Sequence, residues 1–197
     1  MMIKKAIRYS VVQNILQYYE CPENCKAECC CNGRIHIFED EFNFLKENYN
    51  ERTEGIKNDD ILPSLYIMNT PCPFLDQANR CNIHAKRPTV CGMYPFKVNS
   101  SGTSLGLQPC PVGFLIISDL AAWAMDTISK EEISGSEKAE KLIEWEKTLK
   151  SYQKEASEFH LRESLQEMQI PFDELNMFSM FMLSRKAAKK VTEASDN

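Results

Sequence analysis

The feature that most constrains this chain is where its cysteines fall. Nine occur in 197 residues. Cys21, Cys25, Cys29, Cys30 and Cys31 crowd one short stretch, Cys72, Cys81, Cys91 and Cys110 are spaced along a second, and none follows. Cysteine used only as a small core residue would not be missing from everything after Cys110. In a loop, thiolates three or four residues apart can turn toward one point, whereas adjacent side chains of an extended strand point opposite ways. At least one of Cys29, Cys30 and Cys31 is therefore expected to face away from whatever the others hold. A disulfide array suits three consecutive cysteines poorly, since neighbouring residues pair only with strain.

The reading depends on compartment. Lys4, Lys5 and Arg8 precede a stretch broken by Gln13, Asn14 and Gln17, without a continuous apolar segment or a small-residue cleavage site, so no signal peptide is read. The most apolar run, Val112 to Met125, contains Ser118 and Asp119 and reads as too short to span a bilayer. The expected location is the cytoplasm, where thiols stay reduced and grouped cysteines point to metal or redox chemistry. The net charge of −5, from 23 Lys+Arg against 28 Asp+Glu, offers no basic footprint for nucleic acid. Neither nucleic acid nor membrane is an expected partner.

Pattern along the chain gives an α+β fold class: a small, loop-rich cysteine module with short strands, followed by a helical C-terminal part. Ile7, Val11, Ile15, Tyr18 and Tyr19 fall near one face of a helix over about 3–19. Cys21 to Gly33, with Pro22, Asn24, Asn32 and Gly33, reads as an irregular loop. Arg34 to Phe38 alternates as a strand, and Glu39-Asp40-Glu41 opens a helix that turns Phe42, Leu45 and Tyr49 inward. Residues 50–60 read as a surface loop. Leu65–Met68 and Tyr94–Val98 read as strands, the latter joined through the turn 99–102 to 103–108 as a hairpin. Helices are expected over 114–128, over 136–159, and from Pro171 in a first turn to about Lys190, with a frayed tail beyond. The domain division is 1–113, a metal-binding module with its N-terminal helix, and 114–197, a helical extension packed on it.

The second cysteine group reads Cys72-Pro-Phe-Leu-Asp76, Cys81-Asn-Ile-His84, Arg87-Pro88-Thr-Val-Cys91, then Tyr94-Pro95-Phe96 and Gln108-Pro109-Cys110-Pro111. This stretch resembles the YkgJ-like CxxCxxCC cysteine-cluster family, described as zinc- or iron-chelating. The resemblance covers roughly Cys21 to Gly113, with residues 72–96 matching the family signature almost position for position. The first group departs from the family spacing: its gaps hold three residues rather than two, and Cys31 is extra. The resemblance implies metal chelation by Cys21, Cys25, Cys29, Cys30, Cys72, Cys81, Cys91 and Cys110, with Cys29 and Cys30 in place of the family's adjacent pair.

Eight or nine thiols exceed one structural zinc site, which takes four N or S ligands, and suit one or two four-thiolate sites. All-thiolate sets with a neighbouring proline, as at Cys72-Pro73 and Cys110-Pro111, also suit 4Fe–4S clusters. The expected cofactor is an iron–sulfur cluster of the 4Fe–4S type, with zinc as the alternative. Cys31 and His84 are candidate additional ligands; for His84 the plainer role is an imidazole bonded to nearby backbone. Arg87 either donates to bound sulfur from behind the ligands or pairs with an acid such as Asp76. The expected function is redox or metal handling for an unidentified protein partner. The alternatives are a zinc-stapled interaction module and an iron–sulfur enzyme related to lysine N-methylation, for which no catalytic residue stands out.

Overall fold

A computed structural model of the chain describes residues 2–23, 25–31, 34–98, 103–157 and 168–195. The chain forms two compact units, one of Glu23–Tyr94 and one that joins Met1–Pro22 to Pro95–Asn197. The boundary thus falls at Tyr94 rather than at Gly113, and the first helix belongs with the C-terminal part. The reason is long-range: helix α1 (Met2–Leu16) packs against the last helix, α7 (Phe172–Ser195), a partner that no local pattern in the first twenty residues could reveal.

In the unit 23–94, a one-turn helix α2 (Glu28–Cys31) precedes strand β1 (Arg34–Phe38) and helix α3 (Glu39–Tyr49). Strands β2 (Lys57–Asn58) and β3 (Leu65–Asn69) follow, and a second one-turn helix, α4 (Thr89–Met93), closes the unit. The sheet order is β1-β3-β2, antiparallel throughout, with Ile35 opposite Met68 and Ile37 opposite Tyr66. Strand alternation turns Ile35 and Ile37 inward, where they meet Leu45, Ile56, Met68, Phe74 and Ile83. Phe42 stacks on Tyr66 with ring centroids 4.0 Å apart, and Tyr49 meets the edge of Phe74 at 5.6 Å. Helix α3 starts where the acidic triplet suits its dipole and carries Lys46 in its last turn. The expected loop over 50–60 contributes strand β2, while Asp59 accepts the N–H groups of Ile61 and Leu62 and pairs with His36 at 3.0 Å.

In the other unit, β4 (Phe96–Val98) and β5 (Ser104–Leu107) form the expected antiparallel pair, Phe96 opposite Leu107; the turn between them lies outside the described residues. A third strand, β6 (Met168–Pro171), pairs with β5 through Ile170 opposite Leu105. Pro171 therefore ends a strand rather than sitting in the first turn of α7, because β5 recruits the segment before it. Helix α5 (Pro111–Lys130) starts three residues before the expected position, with the Cys110 thiol capping it: Sγ accepts the Gly113 N–H at 3.2 Å. At 20 residues it is long and apolar enough to cross a bilayer by length and composition alone, which corrects the shorter span read from sequence. In this fold its apolar stripe, from Ile116 and Ile117 to Ala124 and Ile128, is buried, packed against α6 (Gly135–Ser157). Trp123 meets Phe178 and Phe181 of α7.

Candidate metal centre

The unit 23–94 builds its thiols into its core. Cys72 is a core residue, and Cys30, Cys81 and Cys91 pack against the same cluster. They come from four places: α2, the loop after β3, an isolated bridge between Cys81 and Leu75, and α4.

Each position has a local cause. Ala27 takes a left-handed conformation, φ 53°, which costs an L-residue about 1–2 kcal/mol. Its carbonyl then accepts the N–H groups of Cys30 at 2.7 Å and Cys31 at 3.1 Å, winding 28–31 into a helical turn instead of the expected open loop. Successive side chains in such a turn diverge by about 100°, so three consecutive cysteines cannot share a direction. Cys30 turns to the core, whereas the Cys31 thiol donates to the Lys26 carbonyl at 3.8 Å. The loop bearing Cys81 is closed by Asp76, whose Oδ1 accepts from Ala78 and Arg80, both at 2.8 Å. Within it Asn79 has φ 58°, a conformation asparagine tolerates.

The sulfurs of this group sense one another. Cys29 and Cys30 have Sγ atoms 3.8 Å apart, the Cys30 and Cys72 thiols shift each other's ionisation, and Cys72 lies 4.0 Å from the Met68 thioether. The Cys30 thiol is pushed up to about 12, first by its bond to Cys29, then by burial and the charges of Cys29 and Cys81. Cys91 is pushed up to about 12 by burial and by the charges of Cys30, Cys72 and Cys81. Cys72 is raised by the neighbouring Cys30 thiol and by burial, and Cys81 by burial above all. Pulling the other way, the backbone N–H groups of Phe74 and Ile83 bond the sulfurs of Cys72 and Cys81, and the Arg87 guanidinium favours ionised Cys81 and Cys91. Four sulfurs that resist ionisation together, beside donors aimed at the ionised form, are a set that a cation would complete.

The remaining candidates are placed differently. None of the nine cysteines is joined in a disulfide. Cys29 stands beside Cys30; Cys25 is half-exposed in the preceding loop. Cys21 and Cys110 belong to the other unit, Cys21 exposed and Cys110 half-buried as the cap of α5. His84 faces the Arg87 guanidinium, with Nε2 to Nη1 at 3.1 Å, and its imidazole is held below its usual value by burial and that charge. Its backbone N–H, not its ring, bonds toward Cys81, at the carbonyl. Among the described residues, no three Cys, His, Asp or Glu side chains already converge as tightly as a bare ion requires. Sequence reasoning passed over Ala27 and the amides of Phe74 and Ile83. Nothing in composition marks Ala27, but an amide two residues beyond a cysteine is a recurrent sulfur partner in metal loops and could have been named.

Residues 20–111 match the profile of the CxxCxxCC family, whose description is "putative zinc- or iron-chelating domain". Over this stretch the chain is similar to the CxxCxxCC domain. The stretch takes in all nine cysteines, and it runs past the boundary at Tyr94 into the second unit. No curated protein and no solved structure matches the chain. Metal chelation is thus the property described for the family that the cysteine-bearing stretch matches; neither the metal nor the ligand set comes with the family description.

Proposed function

We propose that the CxxCxxCC domain holds one metal centre through Cys30, Cys72, Cys81 and Cys91, and that its occupant is a 4Fe–4S cluster serving redox or metal handling. The observation that carries the reading is a quartet of thiols, Cys72 buried and Cys30, Cys81 and Cys91 partly so, drawn from four separate elements against one core. Its donors are all sulfur, the ligand type of cubane clusters. The Phe74 and Ile83 amides and the Arg87 charge fit the supporting role that hydrogen bonds and positive charge play around cluster sulfurs. A reducing compartment and a protein partner that exchanges electrons or metal belong to the same proposal.

Zinc is a second reading with its own support. A tetrahedron with Zn–S bonds of ~2.3 Å has edges of about 3.8 Å, and the Cys29 and Cys30 sulfurs stand 3.8 Å apart. Purification without oxygen separates the two. Brown protein with about four iron and four acid-labile sulfide per chain supports the cluster. Colourless protein with stoichiometric zinc overturns it in favour of zinc. Protein that takes up neither, even after reconstitution with iron and sulfide or with zinc, overturns both.

A further inference from the structure

Cys91 sits on a helix of five residues, far too short to hold its own shape. Its own closing bond runs from the Gly92 N–H to the Pro88 carbonyl at 2.8 Å. Pro88 has no N–H to offer, so the first donor of the turn is Thr89. That N–H donates to Glu41 Oε1 at 2.6 Å, across 48 positions of sequence. The second oxygen of the same carboxylate, Oε2, accepts the Phe38 N–H at 2.9 Å. Phe38 ends β1, which pairs along its length with β3, and the far end of β3 leads into the loop of Cys72. One carboxylate therefore ties the sheet that delivers Cys72 to the turn that delivers Cys91. Short bonds from backbone N–H to an ionised acceptor are about twice as strong as neutral ones. Arg87, whose charge favours ionised Cys81 and Cys91, lines the same shallow cleft as Glu41.

We infer that Glu41 is the positioning residue of the metal centre: it sets Cys91 against the other three sulfurs without touching the metal. The inference rests on the four-thiol reading above. Glu41→Gln keeps the shape but turns an amide NH2 toward one of the two backbone donors. Thr89→Pro attacks the same bond from the other side. Pro88 has φ −53° and ψ 152°, the geometry required of a residue before proline, and proline is well accepted at a first helical position. That variant therefore deletes the N–H and leaves Glu41 and the turn intact.

The test is titration of the metal-free full-length protein with cobalt(II), reading the sulfur-to-cobalt charge-transfer absorbance per bound cobalt. That absorbance scales with the number of coordinating thiolates, so loss of one of four lowers it by about a quarter. Both variants are expected to show that loss, to match Cys91→Ser, and to add nothing when combined with it. A role in stability alone would lower the melting temperature and leave the absorbance per bound cobalt unchanged. Wild-type intensity in both variants at full occupancy overturns the inference while leaving the four-thiol reading standing. A wild-type protein with neither a thiolate–cobalt band nor cluster uptake on reconstitution with iron and sulfide overturns the four-thiol reading, and the role of Glu41 with it. Where only the cluster binds, wild-type cluster occupancy in both variants overturns the role of Glu41 alone.

Discussion

Cys30 and Cys72 are tied through the main chain: the Cys72 backbone N–H donates to the Cys30 carbonyl at 2.8 Å, and each thiol shifts the ionisation of the other. The main-chain bond fixes the approach of the two segments, so the sulfurs are brought together by backbone geometry rather than by side-chain chance. That tie joins the first cysteine group to the second, and Cys81 and Cys91 gather around it.

Substitution should separate the thiols that gather from those that do not. Cys72→Ser is expected to abolish stoichiometric metal, a loss larger than the ~10–100-fold that removal of a supporting group costs. Cys31→Ser, whose thiol faces the Lys26 carbonyl, is expected to keep wild-type metal content. Metal analysis of the two purified variants checks both, and equal losses would contradict the placement of Cys31.

Metal uptake should depend steeply on pH. In the metal-free domain the four thiols are raised, Cys30 and Cys91 to about 12, so they are protonated near neutrality and must release protons to bind. Affinity is expected to fall as pH is lowered, by about tenfold per unit for each proton released. Competition with a chelator of known pH dependence at pH 6 and pH 8 measures it; equal affinity at both would rule out binding by these thiols.

The same shifts set the alkaline limit of the metal-free protein. A thiol raised in the folded state stays protonated there while the unfolded chain ionises, so the unfolded state binds fewer protons and stability falls as pH rises. The contribution is fully present below the ordinary thiol value of about 8.5 and is lost on the way to about 12. Chemical denaturation at pH 7 and pH 10 should give the lower midpoint at pH 10. Bound metal should reverse the difference, since it holds the sulfurs ionised in the folded state while the unfolded chain still binds their protons at pH 7.

Gly113 carries a prediction for the other unit. A side-chain carbon there would overlap the Tyr152 hydroxyl and the Gln108 carbonyl, which are bonded to each other at 2.7 Å. Gly113→Ala is expected to destabilise the protein by about 1–3 kcal/mol, the usual cost of overpacking, read from thermal or chemical unfolding. An unchanged midpoint would show that α5 and α6 can separate without cost.

Elements with a strong local signal were legible in the sequence. Alternation gives β1 over Arg34–Phe38, the acidic triplet gives the start of α3, and hydrophobic spacing gives α5 and α6. The segments that escaped are those fixed by distant partners. Strand β6, Met-Gln-Ile-Pro, has almost no strand pattern of its own and exists because β5 offers an open edge. One-turn helices such as α2 and α4 have no periodicity to detect, yet they aim Cys30 and Cys91. The chemistry of the site, sulfur donors in two groups, was plain from residue types and spacing. Which of three identical neighbours turns inward was not, because that choice depends on the left-handed backbone at Ala27.

The most direct measurement is alkylation of the full-length protein by iodoacetamide, metal-loaded and metal-free, with each cysteine followed by mass spectrometry. Cys30, Cys72, Cys81 and Cys91 should be inert in the loaded protein and gain a measurable reactivity once the metal is stripped, slow because their thiols are raised, while Cys31 reacts at one rate in both. Rates for those four that ignore the metal, or protection that moves to Cys25 and Cys31 instead, would contradict a centre built on them.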